Sequence, residues 1–140
     1  MRRRILLTLG LLAGVTGCGL LSGQPEMGPP EVVTKFYRWY VGYPGNPLAD
    51  REYRESPYLS QSFIQEVDEA LEGGFRADPI LLAQDIPERF TVDETDVSGD
   101  EATVIVSFYW SANPVPSRRE VDLRLLQGEW KITGVAVAEP

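Results

Sequence analysis

The sequence predicts an α+β domain, with two main N-terminal helices packed on a curved four-stranded antiparallel sheet. Two observations carry this. Between Glu31 and Glu72 the apolar residues recur at helical spacing. Beyond Pro87 they alternate with polar ones, the period of a half-buried strand. Helices gathered ahead of a run of strands give a helical layer on an antiparallel sheet, not βαβ units.

The first helix is predicted over residues 31–43. Val32, Val33, Phe36, Tyr37, Tyr40 and Val41 share one face. Pro30 suits the first turn, and Gly42 with Pro44 ends it. Trp39 and Tyr43 widen the apolar arc, which predicts a helix gripped on two sides. A weaker helical turn reads over 49–55. The second helix reads over 60–72, where Leu59, Phe63, Val67 and Leu71 recur every four residues. Gln61, Gln65, Asp68, Glu69 and Glu72 form its polar face, and Gly73-Gly74 stops it.

The first strand is predicted over Phe90 to Val97, turning through Ser98-Gly99-Asp100. In the second, Ala102, Val104, Val106, Phe108 and Trp110 alternate with Thr103, Ile105, Ser107 and Tyr109. Ser111 to Ser117 then reads as an exposed loop stiffened by Pro114 and Pro116, a structurally neutral hairpin connection first and a place for a binding surface second. Val121, Leu123 and Leu125 mark the third strand. Gln127-Gly128 is a tight turn into the fourth, from Trp130 to Val137. The four form a meander.

The N-terminus carries an address. Arg2-Arg3-Arg4 precedes the apolar run Ile5 to Val15, and Val15-Thr16-Gly17-Cys18 supplies a small-residue exit. That order is an export signal. The run from Ile5 to Leu21 is 17 residues with four glycines, shorter than the roughly 20 that a spanning helix needs. The tetrapeptide resembles a bacterial lipobox. This resemblance implies that Cys18 is acylated, becomes the new N-terminus and anchors the protein to a bacterial cell membrane, outside the cytoplasm. The chain then divides into a signal peptide over 1–17, a lipidated tether and flexible linker over 18–30, and one domain over 31–140. Cys18 is the only cysteine, so no intrachain disulfide can form.

Loss of the leader arginines takes the formal net charge from −8 to −11. So acidic a chain argues against nucleic acid and against docking on anionic head groups. It suits a solvated domain or a cationic partner.

Phe36-Tyr37-x-Trp39-Tyr40 resembles the signature of a bacterial domain-of-unknown-function family, number 3828. Asp78-Pro79, Gln84-Asp85, the Gly99 to Val104 hairpin and Gly128-Glu129-Trp130-Lys131-Ile132 follow in the same order. The resemblance covers roughly Pro30 to Val137. It implies a cystatin-like, nuclear-transport-factor-two-like fold, in which helices cover a curved sheet around a pocket. It implies no particular reaction or ligand.

The absence of histidine removes the commonest general base and metal ligand. With Cys18 acylated, thiol nucleophiles are gone too. Some enzymes of the superfamily that the chain resembles use a carboxylate with a tyrosine, so the resemblance leaves open a site of Asp85 with Tyr37 or Tyr40, and a non-enzyme is the expectation. Asp93, Glu94, Asp96, Asp100 and Glu101 crowd one hairpin without the spacing of a calcium loop. They read as a solvated tip, and no cofactor is expected. Arg118, Arg119 and Arg124 read as cross-sheet partners of Glu120, Asp122 or Glu129.

The main expectation is a non-catalytic binding module for a small apolar or amphipathic ligand or a peptide, held between the first helix and the sheet. Tyr37, Tyr40, Gln84, Asp85 and Tyr109 are its candidate ligand-binding residues, a few polar groups in an apolar pocket. The alternative partner is an envelope protein, met through loops and sheet face by an inhibitor, immunity or assembly module. The anchor itself is testable. Intact-mass analysis of native protein should show loss of residues 1–17 and a diacyl or triacyl addition, since one chain alone holds only marginally. Cys18→Ser should abolish the addition and the partition with membranes.

Overall fold

The computed structural model describes residues 24–139. Cys18, the signal peptide and the first part of the tether lie outside the described residues. Helix α1 spans Pro29–Gly42. It starts two residues before the apolar period does, because Pro29 and Pro30 fit a first turn where no N–H is needed. The Val32 N–H donates to Gly28 O at 3.1 Å. Val32, Val33, Phe36, Tyr37 and Tyr40 are buried as the spacing predicts.

Asn46 organises the descent from α1, its Oδ1 accepting from the N–H groups of Leu48 and Ala49. The helical turn predicted over 49–55 is a short 3₁₀ turn, Glu52–Glu55, which buries Tyr53. Helix α2 spans Gln61–Glu72. Ser60 caps it, its hydroxyl accepting from Phe63 N at 3.1 Å. Phe63, Ile64 and Val67 are its buried residues.

Strands β1 (Arg89–Ser98), β2 (Glu101–Trp110), β3 (Asn113–Leu126) and β4 (Glu129–Val137) form one antiparallel sheet in the order β1-β2-β3-β4. Cross-strand pairs Phe90↔Phe108, Val92↔Val106, Val104↔Val121 and Leu123↔Ile132 put one apolar face under the helices. The connection between β3 and β4 is the tight turn expected. Gln127 and Gly128 both have positive φ, 53° and 80°, as a two-residue hairpin of this hand requires.

The edges of the sheet are managed differently. Along β4, Ile132 N donates to Tyr58 O at 2.8 Å, and Ser60 N donates to Ile132 O at 2.9 Å. The chain before α2 thus covers the middle of that edge. Strand β1 has a register shift between Val92 and Thr95, at Asp93 and Glu94, and charges along its length. A bulge and charges both discourage edge pairing.

The expected loop over 111–117 is not a loop. Trp110 pairs with Asn113, so only Ser111 and Ala112 turn, and Pro114 to Ser117 belong to β3. Prolines two apart turn their donor-less nitrogens to the same side of a strand. The pairing of β4 reaches β3 only as far as Arg119↔Val137. The start of β3 therefore has a free side on which proline is tolerated.

Phe36 has no exposed surface, whereas Lys35 is exposed and, among the described residues, bridges only to Glu31 at 3.7 Å. Phe36→Ala should destabilise by about 3–5 kcal/mol. Lys35→Ala should change stability by no more than about 0.5 kcal/mol. Denaturant midpoints of the two variants measure the difference, and similar values would mean that α1 has the wrong face inward.

Candidate functional site

Between α2 and β1 the chain crosses the interior as an irregular segment, Asp78 to Leu82, in which Ile80 and Leu81 are buried. Its backbone groups have no helix or sheet ladder. Three side chains and two short-range backbone bonds satisfy them instead. Asp78 Oδ1 accepts from the N–H groups of Ile80 and Leu81 at 2.7 and 3.2 Å. Tyr37 donates to Ile80 O at 2.9 Å. Arg119, buried on β3, donates from Nε to Leu81 O and from one terminal nitrogen to Leu82 O, both at 3.0 Å. Tyr40 donates to the other Asp78 oxygen at 2.5 Å. Leu82 is held at a φ of 53°, unusual for leucine, with its N–H on Asp78 O at 2.7 Å.

Burial sets the protonation of this network. It pushes the hydroxyls of Tyr37 and Tyr40 far above the ordinary tyrosine range, and the nearby Asp78 charge pushes the same way. Both remain neutral donors. Burial also raises the Asp78 carboxyl above its ordinary 3.8, against the lowering effect of its hydrogen bonds.

Of the five residues expected to line one pocket, three share a cleft and two do not. The ring of Tyr37 is fully buried and its hydroxyl is used on Ile80 O. It packs edge-on to Phe108, with centroids 5.1 Å apart. The space expected for a ligand between α1 and the sheet is filled there by rings. Tyr109 lies on the other face of the sheet, with the Arg89 guanidinium 3.6 Å over its ring. Tyr40, Gln84 and Asp85 do line one cleft, of about 320 Å³, together with Asp78, Phe75 and Ile86. Gln84 and Asp85 are exposed at its rim. Asp85 fastens the chain through its backbone oxygen, which accepts from Trp110 Nε1 at 3.2 Å.

Asp78, not Asp85, is the carboxylate beside the tyrosines. Asp-Pro ahead of an apolar run was the available signal, since aspartate there readily binds the backbone two residues on. The three arginines also differ from expectation. Arg124 meets Glu101 at 3.1 Å and Arg118 meets Glu94 at 3.7 Å, each on another strand. Glu120 and Asp122 share β3 with the arginines, so the register brings β1 and β2 carboxylates nearer. Arg119 points inward because it alternates with Arg118 and Glu120. Among the described residues no group of three or more acidic residues is placed to hold a metal ion.

A larger cleft, of about 530 Å³, opens on the outer flank of α1. Its floor includes Trp39 and Tyr58. Lys35 and Arg38 stand on the helix, and Glu52, Glu55, Ser56 and Pro57 belong to the segment opposite. The two-sided grip predicted for α1 is therefore partial. Leu48, Tyr53 and Leu59 join its core, but Trp39 stays half-buried.

No family model matches the chain, and no curated protein matches it. Solved structures do. A chain of the type VI effector-immunity complex Tae3-Tai3 from Ralstonia pickettii is 22% identical, with a TM-score of 0.65 over 80% of this chain and 96% of that one. The selenomethionine form of that complex gives 21% identity and a TM-score of 0.64 over 81% and 98%. A protein of unknown function from Bacteroides thetaiotaomicron gives 18% identity and a TM-score of 0.54 over 76% and 84%. At these identities the likeness is one of fold.

The raised Asp78 carboxyl has a signed consequence. The folded protein holds this proton more tightly than the unfolded chain does. The stability it contributes is complete below the ordinary 3.8 and is lost as pH rises through the raised value. Relative to Asp78→Asn, wild type should therefore gain stability on going from about pH 7 to about pH 4. Paired unfolding curves at the two pH values check it, and a constant gap would show an unshifted carboxyl.

Proposed function

We propose that this chain is a membrane-tethered protein-interaction module of the bacterial cell envelope, an immunity-type partner that works by binding another protein. One observation carries the reading. The fold runs in parallel with a chain of an effector-immunity complex over four-fifths of this sequence and nearly all of that chain. The lipobox-like Val15 to Cys18 supports the tether.

The distribution of polar groups supports binding by surface. Inside, Asp78, Tyr40, Tyr37 and Arg119 are spent on the chain's own backbone and on each other. Outside, clefts are open and rimmed by charge. A small-ligand site between α1 and the sheet has the weaker support, because aromatic rings occupy that space.

The test is cross-linking of the full-length tagged protein in its own cells, mass spectrometry, and reconstitution of the purified pair. One envelope or effector protein should be recovered and should rebind with a Kd tighter than about 1 µM, as specific interfaces do. Recovery of an amphipathic small molecule with no stoichiometric protein would favour the ligand-carrier reading instead.

A further inference from the structure

We propose that the cleft between α1 and the Glu52 to Tyr58 segment receives a basic side chain, arginine or lysine, from an exposed loop of the partner protein. The proposal rests on the interaction reading above and assigns its docking point.

The cleft has an aromatic floor left half open. Trp39 is half-buried although it stands among rings that fix its plane. Phe36, Tyr40 and Tyr43 lie within 6.0 Å, centroid to centroid. Tyr58, also half-buried, lines the same space. A tryptophan face is the best side-chain surface for a cation.

The wall opposite α1 carries two carboxylates, Glu52 and Glu55. Glu52 and Glu55 make no salt bridge among the described residues. The cations nearest them in sequence are committed elsewhere. Arg54 meets Asp68 at 2.9 Å and Arg51 meets it at 3.8 Å. Tyr53 also donates to Asp68. This arrangement turns both arginines toward α2 and leaves Glu52 and Glu55 without an ion pair among the described residues, with Lys35 and Arg38 across the cleft.

The wall is also rigid. Ser56 N donates to Tyr53 O at 3.1 Å, Ile132 N holds Tyr58 O, and Lys131 donates to Pro57 O. Little ordering cost remains to be met on binding. On the helix side, Lys35 is bridged to Glu31, while Arg38 has no ion pair among the described residues. Arg38 is thus free for a carbonyl or carboxylate flanking the basic residue. The space of about 530 Å³ admits one long side chain with its adjoining backbone. The acidic charge of the whole chain draws basic partners toward it.

The test uses full-length protein in detergent micelles, labelled with 5-fluorotryptophan. The three tryptophans give three fluorine resonances, assigned by single Trp→Phe variants. The probes are the blocked tripeptides Gly-Arg-Gly and Gly-Glu-Gly. The arginine peptide should shift the Trp39 resonance in the millimolar range and leave Trp110 and Trp130 in place. The glutamate peptide should not. E52K/E55K should weaken the arginine titration at least about tenfold. E66K/E72K, an equal change of charge on the exposed face of α2, should leave it unchanged. Equal shifts from both peptides, or an undiminished titration in E52K/E55K with an unfolding midpoint like wild type's, would overturn the proposal. The peptide titration needs no partner, so it does not depend on the interaction reading. A recovered partner that binds E52K/E55K as tightly as wild type would overturn the cleft assignment and leave the interaction reading standing.

Discussion

The domain depends on how five residues between α2 and β1 are satisfied. Asp78 to Leu82 passes under α1 with no ladder of its own. A buried backbone without partners costs several kcal/mol in all. Tyr37 and Tyr40 reach it from α1, and Arg119 reaches it from β3. Helix, crossing segment and sheet are therefore locked together by polar contacts at one place. The hydrophobic core surrounds that lock without specifying it. Removing one partner leaves a buried group unpaired, which costs more than the bond it made.

The same lock occupies the polar groups beside the core. A buried tyrosine–carboxylate pair invites a catalytic reading. Here both Asp78 oxygens are occupied, one by backbone N–H groups and one by Tyr40. The hydroxyl of Tyr37 is equally committed. Polar groups arranged in this way hold a shape. On the outside of the domain, Trp39, Arg38, Glu52 and Glu55 face a shared space.

Charge is divided in the same manner. Arg51 and Arg54 join α2 through Asp68, whose carboxyl the Arg54 guanidinium holds below its ordinary range. Arg118 and Arg124 cross the open face of the sheet to Glu94 and Glu101. Exposed pairs of this sort add little stability. The surface is acidic because Asp and Glu outnumber Lys and Arg, 21 to 13.

Local pattern alone was enough for the elements and their faces. The four-residue period places Phe63 and Val67 inward, and strict alternation places Val104, Val106 and Phe108 under the helices. Both follow from backbone geometry and burial, which neighbouring residues report. Gln127-Gly128 was legible because only certain residues accept positive φ twice in a row. Pro114 and Pro116 misled, because whether a proline breaks a strand depends on which side is paired, and that is set by where β4 ends. The site was legible only in part. Tyr40, Gln84 and Asp85 do share a cleft, but Tyr37 was a core residue and Tyr109 stood on the far face. The partner of the tyrosines was Asp78, 38 residues from Tyr40. Asp78-Pro79 ahead of an apolar run marks an aspartate that binds its own backbone, but nothing in local pattern chooses the tyrosine that will meet it. The choice belongs to tertiary structure, because a hydrogen bond between distant residues depends on the path of the chain between them.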